Sequence, residues 1–188
     1  MLVAGGTDLL PNMKRRQQVP GTLIGLRRVA ELRNVANGDG LTIGAGVTLS
    51  DLVRDPRLRQ GVGGQSPGPY TGLWQAAAQV ATPHLRNMGT IGGNLCLDTR
   101  CNYYDQNYEW RRAIDFCMKK DGATCWVATS SPKCLAVSST DTAPALLALG
   151  WRKKAARAFV VNAFREIRGD DVRAERLRYA RMALEAGD

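Results

Sequence analysis

Two groups of residues in this chain have the types and spacing to do chemistry: glycines in two short runs, and cysteines gathered in one region. Gly5-Gly6-Thr7-Asp8 follows the apolar run Leu2-Val3-Ala4 and precedes a stretch of helix formers. The second run is Gly89-Thr90-Ile91-Gly92-Gly93-Asn94. Glycine lets bare backbone N–H groups approach phosphate oxygens, because no Cβ intervenes and positive φ is open to it. A glycine turn between a strand and a helix adds the favourable dipole of the helix N-terminus. Such turns suit the pyrophosphate of a dinucleotide, but the pattern departs from the G-x-G-x-x-G of nicotinamide-binding Rossmann domains. Taken alone, the first run reads equally well as an ordinary tight turn.

Cys96, Cys101, Cys117, Cys125 and Cys134 are the five cysteines. An odd count in a chain without a visible secretory leader argues against a disulfide framework. The last four are separated by 16, 8 and 9 positions, which matches neither zinc ribbons nor ferredoxin-type runs. Four thiolates still satisfy the ligand count of a [4Fe-4S] cluster, and Lys119, Lys120 and Lys133 would offset its negative charge. A structural zinc accepts the same donors.

The single histidine, His84, sits in a Pro-His turn and is expected to pack or hydrogen-bond rather than act as a base. No Ser-His-Asp or Cys-His arrangement forms around it, so no catalytic residue is assigned.

The elements that must position these groups are short. Leu2-Val3-Ala4, Thr22 to Leu26 and Leu41 to Thr48 read as strands, the last after the Asn37-Gly38-Asp39-Gly40 turn. Helices are expected over Asp8 to Arg16, briefly over Val29 to Leu32, from Leu49 with Ser50 as N-cap, over Leu73 to Val80, and over Thr142 to Leu149. Pro11 and Pro144 fall in first turns, where proline is tolerated. Residues 61–72 are a Gly/Pro/Ser loop. The succession predicts an α+β or α/β domain.

The chain of 188 residues carries a formal charge of +9. The basic residues cluster at Lys14-Arg15-Arg16, at Arg111-Arg112 and after Trp151, without interleaved aromatics. This pattern reads as a solvated basic surface and not as a nucleic-acid interface. No segment approaches the roughly 20 apolar residues needed to span a bilayer. A cytoplasmic location and no membrane contact are expected.

Ala81-Thr82-Pro83-His84-Leu85-Arg86-Asn87-Met88 leads into the second glycine run, and Ser139-Thr140-Asp141-Thr142-Ala143-Pro144 follows later. Asp141 alone would be taken for a helix N-cap. Together with Gly5-Gly6-Thr7-Asp8, these segments resemble, in the same order, the FAD domain of the molybdenum hydroxylase (xanthine dehydrogenase) family over roughly Leu2 to Gly150. The resemblance implies an α+β, two-lobed FAD-binding domain of PCMH type (vanillyl-alcohol-oxidase-like). It divides the chain into a first lobe over 1–50, a second over 51–150 and an unassigned basic helical tail over 151–188. It also implies that Leu2, Val3, Ala4, Gly5, Gly6, Thr7, Asp8 and Leu9 form the pyrophosphate loop. Thr90, Gly92, Gly93 and Asn94 would line the second phosphate and ribose, Asp141 would anchor the cofactor, and Gly44 and Ala45 would be structural.

Residues 97–138 form an insert where the family pattern runs almost directly on. An insert of this kind is similar to that of the FAD subunit of 4-hydroxybenzoyl-CoA reductase. That likeness makes Cys101, Cys117, Cys125 and Cys134 the ligands of a [4Fe-4S] cluster, with Cys96 as a spare thiol or a substitute for Cys101. It implies an electron-transfer subunit that works with a molybdopterin-binding large subunit and a [2Fe-2S] small subunit. Reduced ferredoxin would be the donor, and 4-hydroxybenzoyl-CoA would be dehydroxylated on the partner. An oxidising xanthine-, aldehyde- or CO-dehydrogenase subunit is the first alternative, and a basic zinc-stabilised nucleic-acid-binding module the second. Both ends depart from the family pattern: the chain starts inside the first motif, and after Gly150 an Arg/Ala-rich tail with a polar helix over 173–179 replaces the expected strand. A truncated chain that retains FAD poorly is the expectation.

Overall fold

A computed structural model describes residues 1–37, 40–59 and 68–150. The Asn37–Gly40 turn and the 61–72 loop lie partly outside these residues, and the basic tail from Trp151 lies wholly outside them.

Frequent glycine and proline keep the elements short, and helix and strand are mixed as an α+β chain requires. The order is β1 (Leu2–Val3), α1 (Leu9–Lys14), β2 (Ile24–Gly25), a 3-10 turn (Ala30–Arg33), β3 (Val35–Asn37), β4 (Leu41–Ile43), α2 (Leu49–Arg54) and α3 (Pro56–Arg59). Then come α4 (Thr71–Gln79), α5 (Pro83–Arg86), α6 (Ile91–Leu95), α7 (Tyr108–Ala113) and α8 (Ala143–Ala148).

The strand expected over Leu41 to Thr48 stops at Ile43. It pairs antiparallel with β3, Val35 opposite Ile43, a strand too short to show a period. Beyond it Gly44 and Gly46 crowd the Ala30–Arg33 turn. Their N–H groups donate to the Asn34 carbonyl at 2.8 Å and the Leu32 carbonyl at 2.6 Å. A Cβ on Gly44 would stand 2.4 Å from the Leu32 oxygen, so only glycine fits. The cap of α2 is also displaced from expectation. Thr48, with extended backbone, accepts the Asp51 N–H at 3.1 Å, while Ser50 lies inside the helix and donates to Asn87 Oδ1 at 2.6 Å.

The chain divides into two compact units. Among the described residues, one comprises those of Leu2–Gly5, Gly25–Cys96 and 140–150, and it holds the apolar core of Val47, Leu49, Leu52, Leu58, Leu73, Ala77, Ile91, Leu95 and Ala143. Helix α4 packs on α2, α3 and α8, and Trp74 ties it to α2 by donating from Nε1 to the Val53 carbonyl at 2.9 Å.

The other unit comprises Met1, Gly6–Ile24 and Leu97–Ser139. Charged side chains and carbonyls hold it more than apolar packing does. Arg100 pairs with Asp8, Arg15 pairs with Asp105, and Lys120 Nζ donates to the Gln17 carbonyl at 2.7 Å. The basic residues are therefore not simply a solvated face. Arg111 in particular, expected at the surface, is 1% exposed.

Candidate functional site

In the unit that holds the core, Gly5 meets the approach to the second glycine segment through backbone. A Cβ on Gly5 would fall 2.0 Å from the Met88 oxygen and 3.0 Å from the Gly89 Cα. Val3 accepts the Leu26 N–H at 2.9 Å, which fixes the strand leading into the turn. Gly6 adopts φ 73°, the left-handed conformation that lets successive N–H groups face one anion. A left-handed glycine is one element of such an anion-binding turn.

The second segment is built as a capped helical turn. Thr90 Oγ1 accepts the Gly93 N–H at 3.0 Å. The Ile91 and Gly92 N–H groups donate to the carbonyls of Val47 at 3.0 Å and Ala45 at 2.9 Å. Gly92 is pressed against Ala45, where a Cβ would lie 2.7 Å from both the Ala45 Cβ and its oxygen. Gly92→Ala is therefore expected to cost about 1–3 kcal/mol by overpacking. Urea denaturation measures it, and a change within error of zero would contradict the close approach.

Asn94, buried at the end of this turn, is committed to its own chain. Its Oδ1 accepts the Thr142 Oγ1 hydroxyl at 2.7 Å, the Thr142 N–H at 3.1 Å and the Thr140 hydroxyl at 3.1 Å, while Nδ2 donates to Asp141 Oδ2 at 2.9 Å. Asp141 is thus exposed and partnered by Asn94. It does not cap α8, whose N-cap position is Thr142 without a side-chain cap bond. Of the segment, Gly93 is exposed while Thr90, Gly92 and Asn94 are buried. Thr7, Asp8 and Leu9 belong to the other unit, where Asp8 pairs with Arg100 and accepts from Asn12 Nδ2 at 3.0 Å. His84 is exposed on α5.

Within the unit that contains the insert, Cys101, Cys117, Cys125 and Cys134 all line one pocket, together with Tyr103, Met118, Lys119, Trp126 and Ala136. Cys96 lies in the core-bearing unit, follows α6 and is not among the lining residues. None of the five is in a disulfide. Two of the four pocket sulfurs take backbone hydrogen bonds. Ala136 N–H donates to Cys134 Sγ at 3.4 Å. The N–H of Leu135, and after it those of Ala128 and Val127, hold the Cys125 thiol below the usual cysteine range against the opposing effect of burial. Hydrogen bonds of this kind favour the thiolate, the form that binds metal.

The approach to Cys117 is strained. Asp115 and Phe116 both have φ 59°, unfavourable for residues with side chains. The Phe116 N–H donates to the Arg111 carbonyl at 2.6 Å, and its own carbonyl accepts Trp126 Nε1 at 2.6 Å. Gly122 lets the chain fold back, since a Cβ there would meet the Cys117 nitrogen at 2.6 Å. Strain held by surrounding bonds is a mark of functional loops. Lys119 lines the pocket and donates to Asp98 at 2.6 Å, Lys120 is engaged by the Gln17 carbonyl, and Lys133 is exposed.

Among the described residues, no three His, Cys, Asp or Glu side chains are grouped so as to hold a metal ion. Four thiolates would be the donor set for either an iron–sulfur cluster or a zinc ion.

A family model described as the FAD binding domain in molybdopterin dehydrogenase matches residues 1–158. The chain belongs to this family. Similar members include the nicotinate dehydrogenase FAD-subunit of Eubacterium barkeri, 35% identical over 50% of this chain and 29% of that protein. The carbon monoxide dehydrogenase medium chain of Hydrogenophaga pseudoflava is 40% identical over 50% of this chain and 30% of its own length. The aldehyde oxidoreductase FAD-binding subunit PaoB of Escherichia coli (strain K12) is 33% identical over 77% of this chain and 45% of its own. The chain thus spans less than half the length of these relatives. A solved carbon monoxide dehydrogenase from Hydrogenophaga pseudoflava, lacking the Mo-pyranopterin moiety, is 38% identical with TM-score 0.44, over 50% of this chain and 31% of that one. This molybdopterin dehydrogenase FAD-binding chain has, among its described residues, no helix long and apolar enough to cross a membrane.

Proposed function

We propose that this chain is the FAD-carrying electron-transfer subunit of a molybdenum-containing dehydrogenase of the xanthine, aldehyde or carbon monoxide type. The family match over residues 1–158 carries the reading, and the names of its relatives favour the oxidising direction. In this reading the FAD-binding residues are Leu2 to Leu9 and Thr90, Gly92, Gly93, Asn94 and Asp141. Gly5 and Gly6 supply the open turn. Asn94 acts through Asp141 and Thr142, holding the start of α8 against the second segment. FAD contributes the ability to exchange electrons singly or in pairs. Partners are a molybdopterin-binding large subunit and a [2Fe-2S] small subunit, and substrate oxidation takes place on the large one.

The four-cysteine pocket supports a further part of the proposal: Cys101, Cys117, Cys125 and Cys134 hold a [4Fe-4S] cluster that exchanges electrons with the flavin. The same pocket favours a second reading, a reductive enzyme of the 4-hydroxybenzoyl-CoA reductase type with ferredoxin as donor. Purifying the chain with its neighbouring subunits decides between them. The oxidising reading expects FAD and reduction of an artificial electron acceptor by an aldehyde, a purine or carbon monoxide. Turnover only with 4-hydroxybenzoyl-CoA and a low-potential donor would replace it with the second reading. A complex without FAD would defeat both.

A further inference from the structure

Arg111 is the most completely enclosed cation among the described residues, 1% exposed at the end of α7. Its Nη2 donates to the Arg15 carbonyl at 2.8 Å, while Nε and Nη1 are buried with no hydrogen-bond partner. No carboxylate among the described residues pairs with it. Instead the guanidinium lies 5.7 Å from the ring centroid of Tyr104, 5.9 Å from Tyr108 and 6.0 Å from Phe116. Aromatic faces offset part of a buried positive charge, but they do not replace an anion. Two orphaned donors on such a group call for an explanation.

The aromatic shell points to where the missing anion belongs. Phe116 is bonded directly to Cys117, and the Tyr104 N–H donates to the Cys101 carbonyl at 3.0 Å. Lys119, a wall of the cysteine pocket, lies 5.7 Å from the same Tyr104 centroid. Arg111 and the pocket residue Lys119 thus approach the same ring.

We propose that Arg111 is the buried counter-charge of the four-thiolate nest and sets the reduction potential of the centre those thiolates hold. The inference rests on the cluster reading above. When one electron enters from a reductant such as dithionite, no bond breaks and no proton moves, and the assembly becomes one unit more negative. A fixed positive charge favours that reduced state and raises the potential. Arg111 is a positioning charge and not a ligand: a guanidinium carries only donors and no acceptor atom.

The test is a mediated redox titration of the assembled complex, followed by electron paramagnetic resonance, on wild type, Arg111→Lys and Arg111→Met. Arg111→Met is expected to lower the reduced-to-oxidised ratio at fixed potential at least tenfold, a downward shift of 59 mV for a one-electron couple. Arg111→Lys, which keeps the charge, should stay close to wild type. Should Arg111→Met fail to fold, Arg111→Gln replaces it, because it is uncharged and keeps a donor for the Arg15 carbonyl. An uncharged variant with full iron content and an unmoved potential overturns the inference while leaving the cluster in place. Wild-type protein showing no [4Fe-4S] signal overturns the cluster reading, and the inference with it.

Discussion

Cys117→Ser is expected to remove the [4Fe-4S] signature from the purified complex and leave FAD and [2Fe-2S] centres at their wild-type levels. The thiol is buried, held between a strained approach at Asp115–Phe116 and the fold-back at Gly122, so its sulfur has little freedom to be replaced by a neighbour. Serine offers a hard, mostly protonated oxygen where a soft thiolate is needed. Iron should fall by about four atoms per chain, as the loss of one [4Fe-4S] cluster requires. Cys96→Ser, outside the pocket, should change nothing in the same assay. Equal iron in wild type and Cys117→Ser would remove the pocket from consideration as a metal centre. Zinc in place of iron would identify the alternative directly.

Asn94→Ala should be among the most destabilising single changes in the core-bearing unit. The carboxamide oxygen accepts three hydrogen bonds, two of them from Thr142, which is 0% exposed. Alanine leaves a backbone N–H and two hydroxyls without an acceptor in a place water does not reach. At about 1–3 kcal/mol for each buried unsatisfied group, partly relieved by rearrangement, a loss of about 3–5 kcal/mol follows. Asp141→Ala, which removes only the exposed partner of Nδ2, should cost less than about 1 kcal/mol. Thermal and urea denaturation of the two variants measure the contrast. If both changes cost the same, Asn94 is not the keystone of the segment. If Asp141→Ala lowers FAD retention without lowering stability, the carboxylate serves the cofactor as well as Asn94.

How much of this was legible in the sequence follows from which signals are local. The glycine turn after Leu2–Val3 and helices α4 and α8 could be read, because glycine, alanine and first-turn proline each act on their own few residues. Strand β3 could not. Three residues carry no period, and its pairing with β4 is a tertiary fact. The cap of α2 fell on Thr48 and not Ser50 because the side chain that caps is the one at the extended position, and both residue types can serve. Separations of 16, 8 and 9 between cysteines gave a ligand count but no geometry. That Cys101 and not Cys96 faces the pocket depends on the chain path, and so does the left-handed backbone at Phe116, which no propensity anticipates. Arg111 stands beside Arg112 in sequence, and nothing local distinguishes the buried cation from the exposed one. The likelihood of burial depends on Tyr104, Tyr108 and Phe116 arriving around it.

The bonds from Asn94 to Thr140 and Thr142 join residues 46 and 48 positions apart, at the two ends of the stretch that carries the cysteines. They act as a clasp at the neck of a large loop. The entropy of closing a flexible loop grows only with the logarithm of its length, each doubling adding about 0.6 kcal/mol. A clasp that shuts on a short connection would therefore shut almost as well on one several times longer. In this sense the neck is a socket: sequence can be added or removed beyond it while the core residues on either side keep their partners.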